Sequence, residues 1–270
     1  MNNAPAAKTV KNTNPRRKGP RLSSVTTAIH LLKTFSNDET ELGISQIAQR
    51  LGIAKSTGHR LASTLLDEGL LYQNPENGKY SLGIALFTLG AMVRAKLDIS
   101  VEAKPHLNEL REKTKENVRL ASLDKQNIVF LHDFESPHVV NLRSSTGLTK
   151  PAFCTAEGLC FLAHMDEPAL SALLAHRRVV RTSRTVIDEA EIRERLAAVR
   201  RQGYAIEDEE CEDGTRCIAA PIFQNEGRVL AAVGVAGPRL RLKKSNFAKI
   251  VPLVVSTAGT ISKKLGYSPS

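Results

Sequence analysis

Residues 45–82, SQIAQRLGIAKSTGHRLASTLLDEGLLYQNPENGKYSL, limit most narrowly what this chain can become. Apolar side chains recur at helical spacing in two runs with a glycine between them. In the first run Ile47, Ala48 and Leu51 line one face, and Ser45 is placed to cap the helix by accepting an otherwise unpaired backbone N–H. Gly52 breaks the period. In the second run Ala54, Gly58, Leu61, Ala62 and Leu65 face inward, while Ser56, His59, Arg60 and Ser63 face out with Lys55 beside them. The outward set holds only hydrogen-bond donors and cations; the acids begin at Asp67 and Glu68. Solvated helix faces ordinarily mix Glu with Lys. A donor-only face instead suits a groove walled by phosphates and floored by base edges.

The next residues sharpen that reading. Leu70, Leu71 and Tyr72 predict a short strand, Asn77-Gly78 a hairpin turn whose residues tolerate positive φ, and Lys79, Tyr80 and Leu82 the returning strand. Two helices and a hairpin make a winged helix-turn-helix, closed by a first helix with the stripe Val25, Ala28, Ile29, Leu32 and Phe35. The expected contacts to double-stranded DNA are Ser56, His59 and Arg60 on base edges, and Lys55, Thr57 and Lys79 on phosphates. Ser45 belongs to the same duplex-facing set.

At 270 residues the chain is long enough for two domains. No run approaches the ~18 apolar residues of a membrane span, and no apolar stretch follows the basic N-terminus as in a secretory signal. Four cysteines without framework spacing suit a reducing cytoplasm, the expected location. The net charge of +10 is unevenly spread: Met1 to Lys33 carry seven cations and no acid. Residues 1–22 therefore predict a disordered basic arm that adds salt-sensitive, non-specific affinity for phosphates.

Residues 23–83 form the expected DNA-binding domain and 84–100 a connector helix too apolar to stand alone, suited to packing on a partner subunit. Residues 101–270 form the second domain. After a helix over 101–115, VRLASLD, IVFLHDFE and VVNLRS read as strands, with Lys125-Gln126-Asn127 turning between the first two. Helices are predicted over 155–165, 168–176 and 188–202. Strands over 204–207, 216–223 and 228–236 follow, the last two joined through Asn225-Glu226-Gly227, and a helix over 245–265 ends the chain. An antiparallel sheet flanked by helices is an α+β architecture.

LGIAKSTGHRLASTLLDEGLL with Tyr80-Ser81-Leu82-Gly83, then TAEGLCFLA, RQGYAIEDEE, GTRCIAAPIF and AAVGVAGP, occur in the order and spacing of one family. From about Ser24 to Tyr267 the chain resembles IclR-type transcriptional regulators. The resemblance implies a GAF-like effector domain, self-association as a dimer or dimer of dimers, and a small organic acid effector that alters operator affinity. By position it implies effector contacts at Ala156, Glu157, Glu207, Thr215, Cys217, Gly234 and Ala236. Thr155-Ala156-Glu157-Gly158 opens a helix whose free N–H groups suit an anionic oxygen. Some members carry serines at the positions of Gly234 and Ala236. Their loss here predicts an effector with a larger or more apolar body than a two- or three-carbon acid.

Two rivals stand beside this reading: a cysteine-dependent GAF-like redox enzyme, and an architectural DNA-binding protein without effector. Nothing in the sequence places a thiol beside a histidine, and an effector-free protein has no need of so large a second domain. The acidic run Glu207–Asp213 lacks the glycine spacing of a calcium loop. The five-residue gaps between Cys154 and Cys160 and between Cys211 and Cys217 are wider than zinc pairs. No catalytic residue, metal or cofactor is expected.

Overall fold

The computed structural model describes residues 23–36, 38–95, 98–224 and 227–268, which fall into two compact units divided after Arg94. The expected basic arm lies outside the described residues. So do Lys96 and Leu97 of the connector, and Asn225 and Glu226 of the last turn.

In the first unit, α1 (Ser23–Leu32), α2 (Ile44–Leu51) and α3 (Lys55–Asp67) surround a small core of Leu31, Leu42, Ile47, Ala62, Leu65, Leu71 and Tyr80. At about 1.5–3 kcal/mol for each large apolar side chain removed from water, this core is what makes three short helices stable together. The α1 stripe needs correction. Leu31 is its fully buried residue, and Ala28, Leu32 and Phe35 pack at the margin. Val25 and Ile29 remain 52% and 47% exposed, because the narrow seam that meets α2 and α3 is centred on Leu31 rather than on the wider stripe.

Helix α2 is not capped by Ser45, which is exposed and lies inside the first turn. Gly43 is the cap residue, and Gln46 Oε1 reaches back to accept its N–H at 2.9 Å. The helix ends on Gly52, whose φ of 64° allows its N–H to turn back onto Ala48 O and Gln49 O. Ala54, expected to face inward, is the exposed N-cap of α3.

The hairpin forms from β1 (Leu71–Gln73) and β2 (Tyr80–Leu82), with Leu71 opposite Leu82. The expected Asn77-Gly78 turn falls within its loop. Asn74 to Lys79 form the loop, Gly78 alone among them adopts positive φ, and the Asn74 and Asn77 side chains hold the N–H groups of Glu76 and Lys79. Both asparagines also donate to Glu41, tying the wing to the segment before α2. Helix α4 (Ile84–Ala95) follows.

The second unit begins with α5 (Asp98–Thr114) and is built on a six-stranded antiparallel sheet. Its strands are β3 (Asn117–Asp124), β4 (Asn127–Phe134), β5 (Thr149–Pro151), β6 (Ala205–Asp208), β7 (Thr215–Phe223) and β8 (Val229–Pro238), in spatial order β5-β4-β3-β8-β7-β6. Helices α6 (Ala156–Leu162), α7 (Glu167–Leu174) and α8 (Glu189–Gln202) cover one face, while α5 and α9 (Phe247–Lys264) cover the other. Alternation sorts the side chains: Val118, Leu120, Ile218, Val233 and Val235 point to α5 and α9, and Ala121, Phe130, Cys217, Ala219 and Ala232 to α6. Both sets are apolar because both faces are covered.

Two local expectations fail. The β3–β4 turn is Lys125-Gln126 alone, since Asn127 already pairs with Asp124. VVNLRS is not a strand. Asn117 Nδ2 donates to Leu142 O, Ser145 N–H donates to Asp133, and Asn141 Nδ2 donates to Ser136 O, so side chains satisfy this segment in place of a ladder. Val139 and Val140 are left exposed, and β5 takes the sheet edge.

Candidate functional site

On α3 the buried residues are Gly58, Ala62 and Leu65, and the opposite face presents Lys55, Ser56, Thr57, His59 and Arg60 to solvent. Among the described residues, Lys55, Arg60 and Lys79 form no ion pair. The arginines elsewhere contrast with them. Arg50 is paired to Glu39, Arg195 to Glu210, Arg216 to Asp208 and Arg241 to Glu116. The cations on α3 and the wing are thus left available, unlike these four arginines. A Cβ on Gly58 would meet Ala48, Ile44 and Ile53 at 3.5–3.8 Å, ordinary contact distances, so no close approach requires a glycine there.

In the second unit the strand register gathers the expected effector residues. Glu207 lies opposite Cys217, Cys217 opposite Ala236, and Thr215 and Gly234 share their face of the sheet. Helix α6 descends on this patch with Ala156 and Glu157, both buried. Cys217 donates its thiol hydrogen to Glu157 Oε1 at 3.3 Å. The expected nest of free N–H groups is smaller than expected, because the Thr155 side chain already caps Gly158 N–H at 3.3 Å. Gly158 itself is obligatory: a Cβ there would lie 2.1 Å from Ala152 O.

The room gained by losing a side chain at Gly234 is not empty. A Cβ at 234 would fall 2.5 Å from Glu157 Oε1 and 3.1 Å from Cys217 Sγ, so the Glu157 carboxyl occupies the place. A carboxyl thus stands where the hydroxyls of some family members would lie. Glu207 is buried and accepts Cys211 N–H at 3.2 Å. Burial, reinforced by Cys211 and Glu157, pushes its carboxyl well above the ordinary carboxylate range.

Sequence reasoning missed the basic members of this patch. Arg119 lies directly opposite Gly234 in the register, almost fully buried, with Nε 3.2 Å from Asp133 Oδ2 and its guanidinium 5.2 Å above the Phe130 ring. Burial opposes its charge, but Asp133 and Glu157 hold it on. Lys150, from β5, stands 5.7 Å from the same ring and pairs with Glu212 at 2.8 Å. The signal was present: an arginine between Val118 and Leu120 in a predicted strand, and an aspartate on the strand predicted to pair with it. The expected residues thus form one cluster with mixed charge, able to hold a ligand bearing both an anionic group and hydroxyls.

A second point concerns the acidic run. Asp208, Glu209 and Glu210 are engaged by Arg184, Arg195, Arg216, Arg239 and Lys244, which makes this stretch an ion-pair network. Among the described residues no group of His, Cys, Asp and Glu is arranged to hold a metal, and no helix is long and apolar enough to cross a membrane.

Comparison with known proteins matches each unit to a known domain. Residues 24–75 match the IclR helix-turn-helix domain, and residues 91–263 match the C-terminal domain of bacterial IclR transcriptional regulators. The HTH-type transcriptional regulator XynR of Escherichia coli is 34% identical over 249 residues, covering 92% of this chain and 99% of that protein. The E. coli regulator KdgR is 34% identical, covering 91% and 94%. Among solved structures, an IclR transcriptional regulator from Alicyclobacillus acidocaldarius superposes with a TM-score of 0.79 at 26% identity, covering 90% of this chain and 99% of that one. An IclR homologue from Microbacterium hydrocarbonoxydans, complexed with 4-hydroxybenzoate, gives 0.78 at 27%, covering 91% and 100%. With a winged helix, an α+β second unit and both family domains matched in order, the chain belongs to the IclR family of DNA-binding bacterial transcriptional regulators.

Proposed function

We propose that this regulator reads its operator through α3 and the wing, and that a small organic acid in the second unit sets its operator affinity. The carrying observation is the exposed, unpaired and acid-free run Lys55–Arg60 over the first turns of α3. Ser56, His59 and Arg60 are the base-reading set, and Lys55, Thr57 and Lys79 hold phosphates; Ser45, exposed on α2, adds a backbone contact. In the second unit Arg119 and Lys150 supply the positive side of the effector cluster. Glu157 and Glu207, with Thr215, supply groups suited to hydroxyls. Cys217, Ala156, Gly234 and Ala236 shape the walls. A ligand with a carboxylate and at least one hydroxyl satisfies both halves, as does the 4-hydroxybenzoate held by the Microbacterium homologue.

The protein acts as a dimer or dimer of dimers. Ile84, Phe87 and Met92 of α4 are 79%, 68% and 62% exposed in the single chain, an apolar surface suited to a second copy. Such a dimer meets two half-sites one helical turn apart, and an effector changes affinity only by binding one arrangement better than the other. The role is regulatory rather than catalytic. Fluorescence anisotropy on duplex fragments upstream of neighbouring genes, titrated with hydroxylated organic acids, tests the reading. Binding that shifts at least five-fold with one such acid is expected. Binding indifferent to every organic acid favours the effector-free architectural alternative.

A further inference from the structure

The sheet of the second unit has an open corner that the effector cluster does not use. Strand β6, at the sheet edge, begins at Ala205 opposite Ala219. Beyond that pair β7 runs on through Ala220–Phe223 with no strand beside it on that side among the described residues. A cleft of about 280 Å³ lies there, between the end of α6, the end of α8 and the last turns of α9. Hydrogen bonds fix its frame. Ser262 Oγ accepts the Phe223 N–H at 2.9 Å, and Arg200 of α8 donates Nε to Ala163 O and Nη2 to Met165 O at 3.4 Å. Glycines leave the room: a Cβ on Gly203 or Gly259 would meet nothing within 4 Å.

The lining has two halves. One is aromatic. Phe223 stacks on Tyr267 with centroids 5.0 Å apart and 29° between the planes, and His164 meets Phe223 edge-on at 5.1 Å. His164 Nδ1 lies 2.9 Å from Cys160 O, so that nitrogen carries the ring hydrogen. Burial, with Arg200 nearby, holds this imidazole below the ordinary histidine range, which keeps it an uncharged wall at neutral pH. The other half is cationic, from Arg200 on α8 and Lys263 on α9. Among the described residues neither forms an ion pair, and no Asp or Glu lines the cleft. Glu167, whose carboxyl feels Arg200, is itself paired with Arg193 at 2.8 Å. Two unneutralised cations beside a ring stack suit an anion with a flat, apolar body.

We infer that this cleft is a second ligand site of the second unit and takes an aromatic carboxylate. The ring lies against Phe223, Tyr267 and His164, and the carboxylate lies between Arg200 and Lys263. The site is separate from the effector cluster around Glu157 and Arg119. The two share α6 and β7, which carry Glu157 and Cys217 in the cluster and lead to His164 and Phe223 in the cleft.

Isothermal titration calorimetry of the full-length protein with benzoate tests the inference, with benzamide as the uncharged control and cyclohexanecarboxylate as the non-aromatic one. A saturable benzoate heat is expected, with both controls at least ten-fold weaker. Gly259→Leu grows a side chain into the open space and removes the helix penalty of glycine. It should abolish that heat without lowering the melting temperature of the ligand-free protein. Lys263→Glu, a surface change, should weaken benzoate at least ten-fold, and it decides the matter if Gly259→Leu does not fold. No saturable heat, a heat unchanged by Lys263→Glu or by folded Gly259→Leu, or either control bound as tightly as benzoate would overturn the inference.

Discussion

Gly58 sits where α3 leans on α2, and the neighbours that a methyl group would meet are side chains at contact distance. Gly58→Ala therefore adds buried apolar contact and removes the helix penalty of glycine, and should stabilise the first unit by about 1 kcal/mol, measured by urea unfolding. Gly158 is the opposite case: a methyl group there meets backbone oxygen, and Gly158→Ala should cost about 1–3 kcal/mol or more. Glu207 yields a pH prediction. Its carboxyl titrates higher in the folded chain than unfolded, so its contribution is full below about pH 4.5 and lost as pH rises through the folded value. Glu207→Gln keeps an oxygen for the Cys211 N–H and removes the titration, so its melting temperature relative to wild type should increase from pH 5 to pH 8. A constant difference would show that Glu207 titrates normally. At this scale the sequence revealed residue types but not partners. Arg119 and Asp133 stand out only once β3 and β4 are paired, and the filling of the Gly234 site by Glu157 brings together residues far apart in the chain.

Elements governed by local rules were legible. The periods of α2 and α3, the glycine stop at Gly52 and the hairpin all follow from neighbouring residues, whereas the cap expected at Ser45 falls to Gly43. VVNLRS was misread because its β-forming composition is overruled by bonds from Asn117 and Asp133, which belong to other strands. Val25 and Ile29 were misplaced because periodicity gives a stripe, not the width of the seam that covers it. Helix α4 was read as too apolar to stand alone, and its exposed Ile84, Phe87 and Met92 are the structural counterpart. Phe87→Asp should shift the protein toward monomer in sedimentation velocity at micromolar concentration. An unchanged assembly would place the subunit contact elsewhere.

For the whole molecule, the division of labour is electrostatic. Acids neutralise Arg119, Arg195, Arg216 and Arg241 of the second unit, while among the described residues Lys55 and Arg60 of α3 and Lys79 of the wing form no ion pair. Duplex affinity should therefore fall steeply with salt, and Lys79→Ala should weaken binding to every sequence alike while reducing the log–log salt slope by about 0.9. The central claim is that the exposed donors of α3 read base edges, and Arg60→Ala tests it most directly. Titrated against the operator and a scrambled duplex at one ionic strength, the variant should lose about 1–3 kcal/mol on the operator and much less on the scrambled duplex. If Arg60→Ala retains both the affinity and the sequence preference of the wild type, α3 is not the element that reads DNA.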